Sequence, residues 1–336
     1  MTPTQFRNNS LLFLTIFFVG CSSKNKESQA GDQPSNYEQI KNWPQLPKTF
    51  PFSQVSAVGI DTSQNIFILQ RTGREWLDTL PDSLISSNTI FLLNKETGKV
   101  LSSWGANLFI MPHGLAVDEQ NNVWVTDVAL NQVFKFSHHG ELLLTLGEAK
   151  IAGNDSTHFN RPTDVAIAND DSFYVSDGYR NSRIIKFSKE GKFLFAWGIR
   201  GTGPGEFNIP HGLSLDSHGN VLVADRENNR IQVFDKDGNF LAEWKNNQAM
   251  LLMSLSVDQA GHVFAVDYNY LEDSVIGADI IQLDSGLNLI TRFGRSDSSG
   301  DTTALFHDIA VDKKGNIYVA NILGHKVQKF KPTSSR

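Results

Sequence analysis

HGLSLDSHGNVLVADRENNRIQVF, residues 211–234, is the stretch on which the fold turns. An apolar pair with an acidic residue, Leu213-Ser-Leu-Asp216, leads through a glycine turn into Asn220-Val-Leu-Val-Ala224, and a polar loop separates that from Arg230-Ile-Gln-Val-Phe234. β-Branched and aromatic residues in alternation, punctuated by turn formers, specify short strands. A fourth strand, Phe240-Leu-Ala-Glu-Trp244, follows the turn Asp235-Lys-Asp-Gly238. The unit occurs six times, anchored at Val58-Gly-Ile-Asp61, Leu115-Ala-Val-Asp118, Val165-Ala-Ile-Ala168, Leu213-Ser-Leu-Asp216, Leu255-Ser-Val-Asp258 and Ile309-Ala-Val-Asp312. Successive anchors lie between 42 residues (213 to 255) and 57 residues (58 to 115) apart, near the length of a four-stranded propeller blade. No helix is expected inside the repeats. The units therefore specify an all-β, six-bladed β-propeller whose central channel is lined by the first strand of every blade.

The phrasing HGLxxDxxGNVxVADxxNxRIQxF resembles the NHL repeat, and the resemblance runs from about residue 52 to 332, least well in the fifth unit. Two positions before each anchor the units read Ser56, His113, Thr163, His211, Met253 and His307, so histidine occupies units two, four and six. In a six-fold ring alternate blades stand about 120° apart, and three equivalent side chains at the start of the inner strands converge on the axis. Three neutral imidazoles suit a divalent transition metal, with the fourth position left open as in catalytic zinc sites. The plainer alternative is a set of channel-lining polar groups holding water. The remaining histidines are expected at the surface: His139, His218 and His262 in hairpin turns, His138, His158 and His325 in polar loops.

Longer matches narrow the resemblance. Leu108-Phe-Ile-Met-Pro-His-Gly-Leu115, Trp124-Val-Thr-Asp-Val-Ala-Leu130, Gln132-Val-Phe-Lys135, Arg161-Pro-Thr-Asp-Val-Ala166, Val175-Ser-Asp-Gly-Tyr-Arg-Asn-Ser-Arg183 and Val223-Ala-Asp-Arg-Glu-Asn228 are together similar to the peptidyl-α-hydroxyglycine α-amidating lyase (peptidylamidoglycolate lyase) family. The resemblance implies zinc on His113, His211 and His307, and a structural calcium on the backbone carbonyls of Val58 and Leu115 and the carboxylate of Asp308. It also implies Tyr179 as general base with Arg71 and Arg226 as active-site arginines. The implied reaction cleaves the C–N bond of a peptidyl-α-hydroxyglycine, giving a peptide amide and glyoxylate. A carbinolamide must lose its hydroxyl proton while charge develops on that oxygen, which a metal and an arginine assist. A phenol near pKa 10 is mostly protonated at neutral pH, so neighbouring cations are needed to favour phenolate.

Each of these residues also has a plainer reading. Tyr179 and Arg226 fall in loops where repeats of this kind carry polar residues, and Arg71 could be a rim ion-pair partner. Asp308 could bond neighbouring backbone groups, as Asp164 could in the third unit. The chain departs from the family in that Phe306 rather than proline precedes His307, Leu305 stands where the animal enzymes have methionine, and their disulfides are absent. These changes bear on substrate fit more than on metal binding.

Ahead of the repeats, Leu11 to Val19 (LLFLTIFFV) follows Arg7 and precedes Gly20-Cys21-Ser22-Ser23. This is a signal-peptide layout, too short for an ordinary membrane span. Val19-Gly20-Cys21 resembles a bacterial lipobox, with Phe18 in place of the usual leucine, and Cys21 is the single cysteine. An ordinary cysteine in a cleaved signal is the alternative. The expected organisation is a lipoprotein-type signal peptide over 1–21 with lipidation at Cys21, a polar linker over 22–42 and the propeller over 43–336. That makes an exported monomer, lipid-anchored to a membrane of the bacterial cell envelope on the periplasmic side or at the cell surface. With 30 Lys+Arg against 36 Asp+Glu and no basic stripe, nucleic acid is excluded as a partner. The propeller is expected to fill the exported chain, leaving no monooxygenase domain. A peptide or small-molecule substrate ending in α-hydroxyglycine would then come from elsewhere, or be another carbinolamide or ureidoglycolate-like compound.

Other signals fail on context. Gly198-Ile-Arg-Gly-Thr-Gly-Pro-Gly205 leads into a strand and not a helix, so it is no phosphate cradle. Asp235-Lys-Asp-Gly238 is a hairpin turn and not a calcium loop, and no Gly-x-Ser-x-Gly elbow occurs. Two other functions remain open: a non-catalytic propeller presenting its rim to a protein or glycan, and a calcium-dependent lactonase-like hydrolase. The latter would place carboxylates and asparagine where the histidines stand.

Overall fold

Six four-stranded antiparallel sheets follow one another along the chain, over 55–104, 112–146, 164–197, 210–245, 250–293 and, completed by a strand from upstream, 306–332. These are blades 1 to 6. The computed structural model describes residues 35–333 apart from 48–49, 51, 78, 249, 272–273 and 295–303. The expected signal peptide and Cys21 lie outside the described residues. A short 3-10 turn, Arg226–Asn228, is the one helical element among the described residues. The glycine-dense stretch after blade 3 forms a small parallel ribbon, Ile199–Arg200 against Glu206–Phe207. The six-bladed all-β propeller expected from the repeats is the fold observed.

Blade 6 has three strands of its own and takes its fourth from upstream. Tyr37–Gln39 pairs antiparallel with Lys326–Pro332, running from Tyr37↔Pro332 to Gln39↔Phe330. These three residues fall within the stretch expected as linker, 22–42, so the sheet begins before residue 43. A Tyr-Glu-Gln strand is too short to show alternation.

Six apolar clusters seal the ring, one between each pair of neighbouring blades. Phe67, Leu69 and Ile90 of blade 1 pack on Val123, Val125 and Phe134 of blade 2. At the closure, Tyr318, Ala320 and Val327 of blade 6 meet Val58, Ile66, Ile68 and Phe91 of blade 1. Second strands such as Val123–Asp127 and Val221–Asp225 are buried throughout because a sheet covers each of their faces. Burying one such Val, Ile, Leu or Phe side chain contributes roughly 1.5–3 kcal/mol. Outer strands such as Leu142–Leu146 are largely exposed.

One irregularity recurs where it bears on function. The first strand shifts register between Val55 and Ala57, Pro112 and Leu115, Pro210 and Gly212, Leu252 and Ser254, and Phe306 and Asp308. Each shift spans the position two before the anchor: Ser56, His113, His211, Met253 and His307. In blade 3 the strand begins at Asp164, just after Thr163. A bulge frees its residue from the ladder and re-aims it.

Candidate metal centre

His113, His211 and His307 meet on the axis, all buried, with ring centroids 4.7 Å (113 to 211), 4.7 Å (113 to 307) and 5.0 Å (211 to 307) apart. One nitrogen from each lies within 4.8 Å of the others. The Nδ1 atoms are engaged by backbone carbonyls: His113 with Thr163 O at 2.7 Å, His211 with Met253 O at 2.8 Å and His307 with Ser56 O at 2.6 Å. A carbonyl only accepts, so each Nδ1 carries the proton and each Nε2 keeps its lone pair for a ligand. Burial depresses all three pKa values, helped by the neighbouring imidazoles and Arg71 at His113 and His307 and by Arg226 and Arg71 at His211, which falls to about 3. The rings are neutral at neutral pH, the form that binds metal.

The carbonyls come from the equivalent position, two before the anchor, of the next odd-numbered blade. Glycine permits that approach. A Cβ on Gly114 would stand 2.5 Å from Thr163 O, and one on Gly212 2.7 Å from Ser254 Cα and 3.0 Å from Met253 O. Aspartates ending the second strands hold the incoming segments: Asp127 accepts from the N–H groups of Ile110 (2.8 Å) and Met111 (2.9 Å), and Asp225 from that of Asn208 (2.7 Å). These aspartates recur at one repeat position, as Asp127, Asp177, Asp225 and Asp267, a signal the repeat carries beside the histidines.

Tyr179 reaches the same centre. Its hydroxyl lies 3.0 Å from Nε2 of His113 and 3.1 Å from Nε2 of His211. Gly178 allows the loop to pass Pro210, whose carbonyl oxygen a Cβ there would meet at 1.9 Å. Arg226 lies over the Tyr179 ring, its guanidinium carbon 5.9 Å from the centroid, and donates to the Tyr268 hydroxyl at 3.1 Å beside Glu227 at 3.3 Å. Arg71 is buried and donates from Nε to Pro112 O at 3.1 Å, while its buried Nη2 has no partner among the described residues. Burial lowers its pKa to about 10, so it stays charged at neutral pH. The phenol departs from the sequence expectation: burial raises the Tyr179 pKa above its usual value, outweighing the downward pull of Arg226 and Arg71.

Two further residues belong here that the sequence reading missed. The Trp76 ring stands 4.7 Å from that of Tyr179 and 6.4 Å from that of His113, with the Arg71 guanidinium carbon 5.4 Å from its centroid. It lies in a long segment between strands of blade 1 that no other repeat matches. Tyr268 could have been found, since Asp267-Tyr268 aligns with Asp225-Arg226.

Elsewhere on the axis a cavity of about 290 Å³ is lined by Val58, Leu115, Leu213, Asp164 and Asp308 among others. Asp308 accepts from the Val58 N–H at 2.9 Å and Ser254 Oγ at 2.7 Å. Asp164 accepts from the N–H groups of Val165 and Leu213, both at 2.8 Å. Burial pushes Asp308 up to about 6, while burial and the Asp308 charge push Asp164 well above the carboxylate range. No Lys or Arg lines this cavity. The structure thus gathers Val58, Leu115 and Asp308 around one cavity and adds Asp164, two carboxylates with no protein cation among the lining residues. The surface histidines pair locally, as His138 does with Asp61 and His262 with Asp258.

Residues 150–334 match the family model described as a 6-bladed beta-propeller, and 109–136 match that of the NHL repeat. Among curated relatives, peptidyl-alpha-hydroxyglycine alpha-amidating lyase 1 of Drosophila melanogaster is 33% identical over 346 residues, covering 91% of this chain and 62% of the relative. Peptidyl-glycine alpha-amidating monooxygenase B of Xenopus laevis is 34% identical over 333 residues, 93% of this chain and 37% of the relative. The chain spans about a third of the length of the amidating monooxygenases it matches. Human NHL repeat-containing protein 3 is 31% identical over 309 residues, 87% of this chain and 83% of the relative. A solved streptogramin B lyase structure superposes with a TM-score of 0.57 at 13% identity, covering 88% of this chain and 97% of that one, a likeness of fold.

Proposed function

Because this chain belongs to the six-bladed NHL-repeat β-propellers and is a homologue of the peptidyl-α-hydroxyglycine α-amidating lyases, we propose that it is a zinc-dependent carbon–nitrogen lyase. Its substrate is a peptidyl-α-hydroxyglycine or a similar carbinolamide, and its products are an amide and glyoxylate. The observation that carries this is the Tyr179 hydroxyl within hydrogen-bond reach of Nε2 on two of the three converging imidazoles.

His113, His211 and His307 would hold the zinc, which supplies Lewis-acid chemistry: positive charge beside the substrate hydroxyl and the phenol. Arg71 receives the substrate carboxylate on its unpartnered Nη2, a charge-assisted contact in a buried setting. Tyr179 takes the hydroxyl proton. As the carbon–oxygen double bond forms, the C–N bond breaks with its electron pair going to nitrogen, and the phenol returns the proton there, giving the amide. Arg226, oriented by Tyr268 and Glu227, adds positive charge beside the Tyr179 ring, which assists a phenol that burial otherwise keeps protonated. Calcium on Val58, Leu115 and Asp308 is the structural ion of this reading, and export with a lipid on Cys21 its location.

The test is glyoxylate release from an N-acyl-α-hydroxyglycine by the purified protein, read with its metal content. About one zinc per chain at the triad and release that stops on chelation support the reading; zinc without glyoxylate overturns the lyase assignment. That outcome would favour the non-catalytic binding propeller, which the relative named only for its NHL repeats also fits.

A further inference from the structure

We propose that Trp76 forms the wall of a subsite for the residue or acyl group preceding the hydroxyglycine, and thereby selects substrates that are apolar or aromatic there. This rests on the lyase reading above and extends it to substrate class.

The polar groups of the centre account for the hydroxyglycine alone: Arg71 for its carboxylate, Tyr179 and the imidazoles for its hydroxyl. What remains of the substrate is the acyl half beyond the scissile bond, and it must lie against something. An extended chain advances roughly 3.3–3.6 Å per residue. The group preceding the hydroxyglycine therefore falls one to two residue lengths from the imidazoles, a span that the 6.4 Å between the Trp76 and His113 rings matches. Trp76 is 39% exposed although it touches the buried centre, and Leu77 beside it is 56% exposed. Apolar surface left open beside a polar, charged centre is the usual make-up of a ligand pocket, with polar groups orienting and apolar walls selecting. The indole is also held in place: Tyr179 packs against it and the Arg71 guanidinium lies 5.4 Å from its centroid. A fixed aromatic wall loses little entropy when a second apolar group packs on it.

The experiment compares kcat and KM for N-acetyl-phenylalanyl-α-hydroxyglycine and N-acetyl-α-hydroxyglycine in wild type, Trp76→Ala and Trp76→Phe, with zinc content as the control for an intact centre. Wild type should favour the phenylalanyl substrate. Trp76→Ala should cut that preference, the ratio of kcat/KM for the phenylalanyl to the acetyl substrate, about tenfold or more, chiefly through the KM of the phenylalanyl substrate, and Trp76→Phe should recover part of it. Equal changes on both substrates, or a fall in kcat alone, would overturn the subsite and leave Trp76 a support for Tyr179 and Arg71. Should Trp76→Ala fail to fold, Trp76→Phe and Trp76→Leu give the same contrast between ring and no ring. Wild type releasing glyoxylate from neither substrate would remove the lyase reading, and the subsite with it.

Discussion

Blades 2, 4 and 6 and blades 1, 3 and 5 share one strand pattern, one anchor and one position two before it, yet they bring different atoms to the axis. The even blades offer imidazoles, from His113, His211 and His307. The odd blades offer peptide oxygens, from Ser56, Thr163 and Met253, each accepting from the Nδ1 of the preceding even blade. One residue type is demanded where the side chain does the work, and almost any where the backbone does. Just past the residue aligned with Asp225 the emphasis shifts: odd blades place Arg71, Tyr268 and, one residue further on after Gly178, Tyr179 there, even blades Val128, Arg226 and Ile322. Ligands come from one set of blades and most of the reactive groups from the other.

Substitution can break this division at several depths. Replacing His113, His211 or His307 by alanine should have the largest effect, taking zinc from about one per chain to near none and abolishing glyoxylate release, measured by elemental analysis with the assay. Tyr179→Phe should leave the metal in place and lower kcat roughly 10²–10⁴-fold, the usual size of a general acid–base contribution. Gly212→Ala should act through the odd blade, since the new Cβ displaces Ser254 and the Met253 carbonyl that orients His211; metal affinity should fall about 10–100-fold by competition with a chelator.

The pH dependence of unfolding sharpens the contrast further. In excess chelator, the unfolded chain protonates its histidines below about pH 6.5 whereas the folded triad resists, with His211 down at about 3. The unfolded state then binds more protons, so stability is full above that value and is lost as the pH falls, by up to about 1.4 kcal/mol per pH unit for each histidine. His211→Gln should lose less between pH 6.5 and 4.5 in urea unfolding than wild type does. Asp308, raised to about 6, works in the opposite direction, losing stability as the pH rises through that value, but it is common to both proteins and cancels. The smallest effects belong to odd-blade side chains. Ser56→Ala and Met253→Leu should keep metal and activity and change stability by less than about 1.5 kcal/mol, because only the backbone oxygen at those positions serves the centre.

The residue identities explain how much of this could be read in advance. The propeller and the triad were legible because each strand repeats its apolar alternation and histidine is the atom-bearing group. The carbonyl partners were not, since a peptide oxygen leaves no mark on residue type and Ser, Thr and Met look unrelated. The raised pKa of Tyr179 depends on burial among groups from several blades, which spacing along the chain does not encode. Trp76 sits in a segment without a counterpart in the other repeats, so no alignment pointed to it. The closing strand Tyr37–Gln39 was hidden by its brevity.

X-ray absorption of the zinc-loaded protein tests the central claim most directly. Three imidazole nitrogens at about 2.0–2.1 Å in wild type and in Met253→Leu, and no such shell in His211→Ala, which keeps almost no zinc, is the result expected. Fewer than three imidazoles in the wild type, or a first shell unaltered by loss of His211, would contradict it.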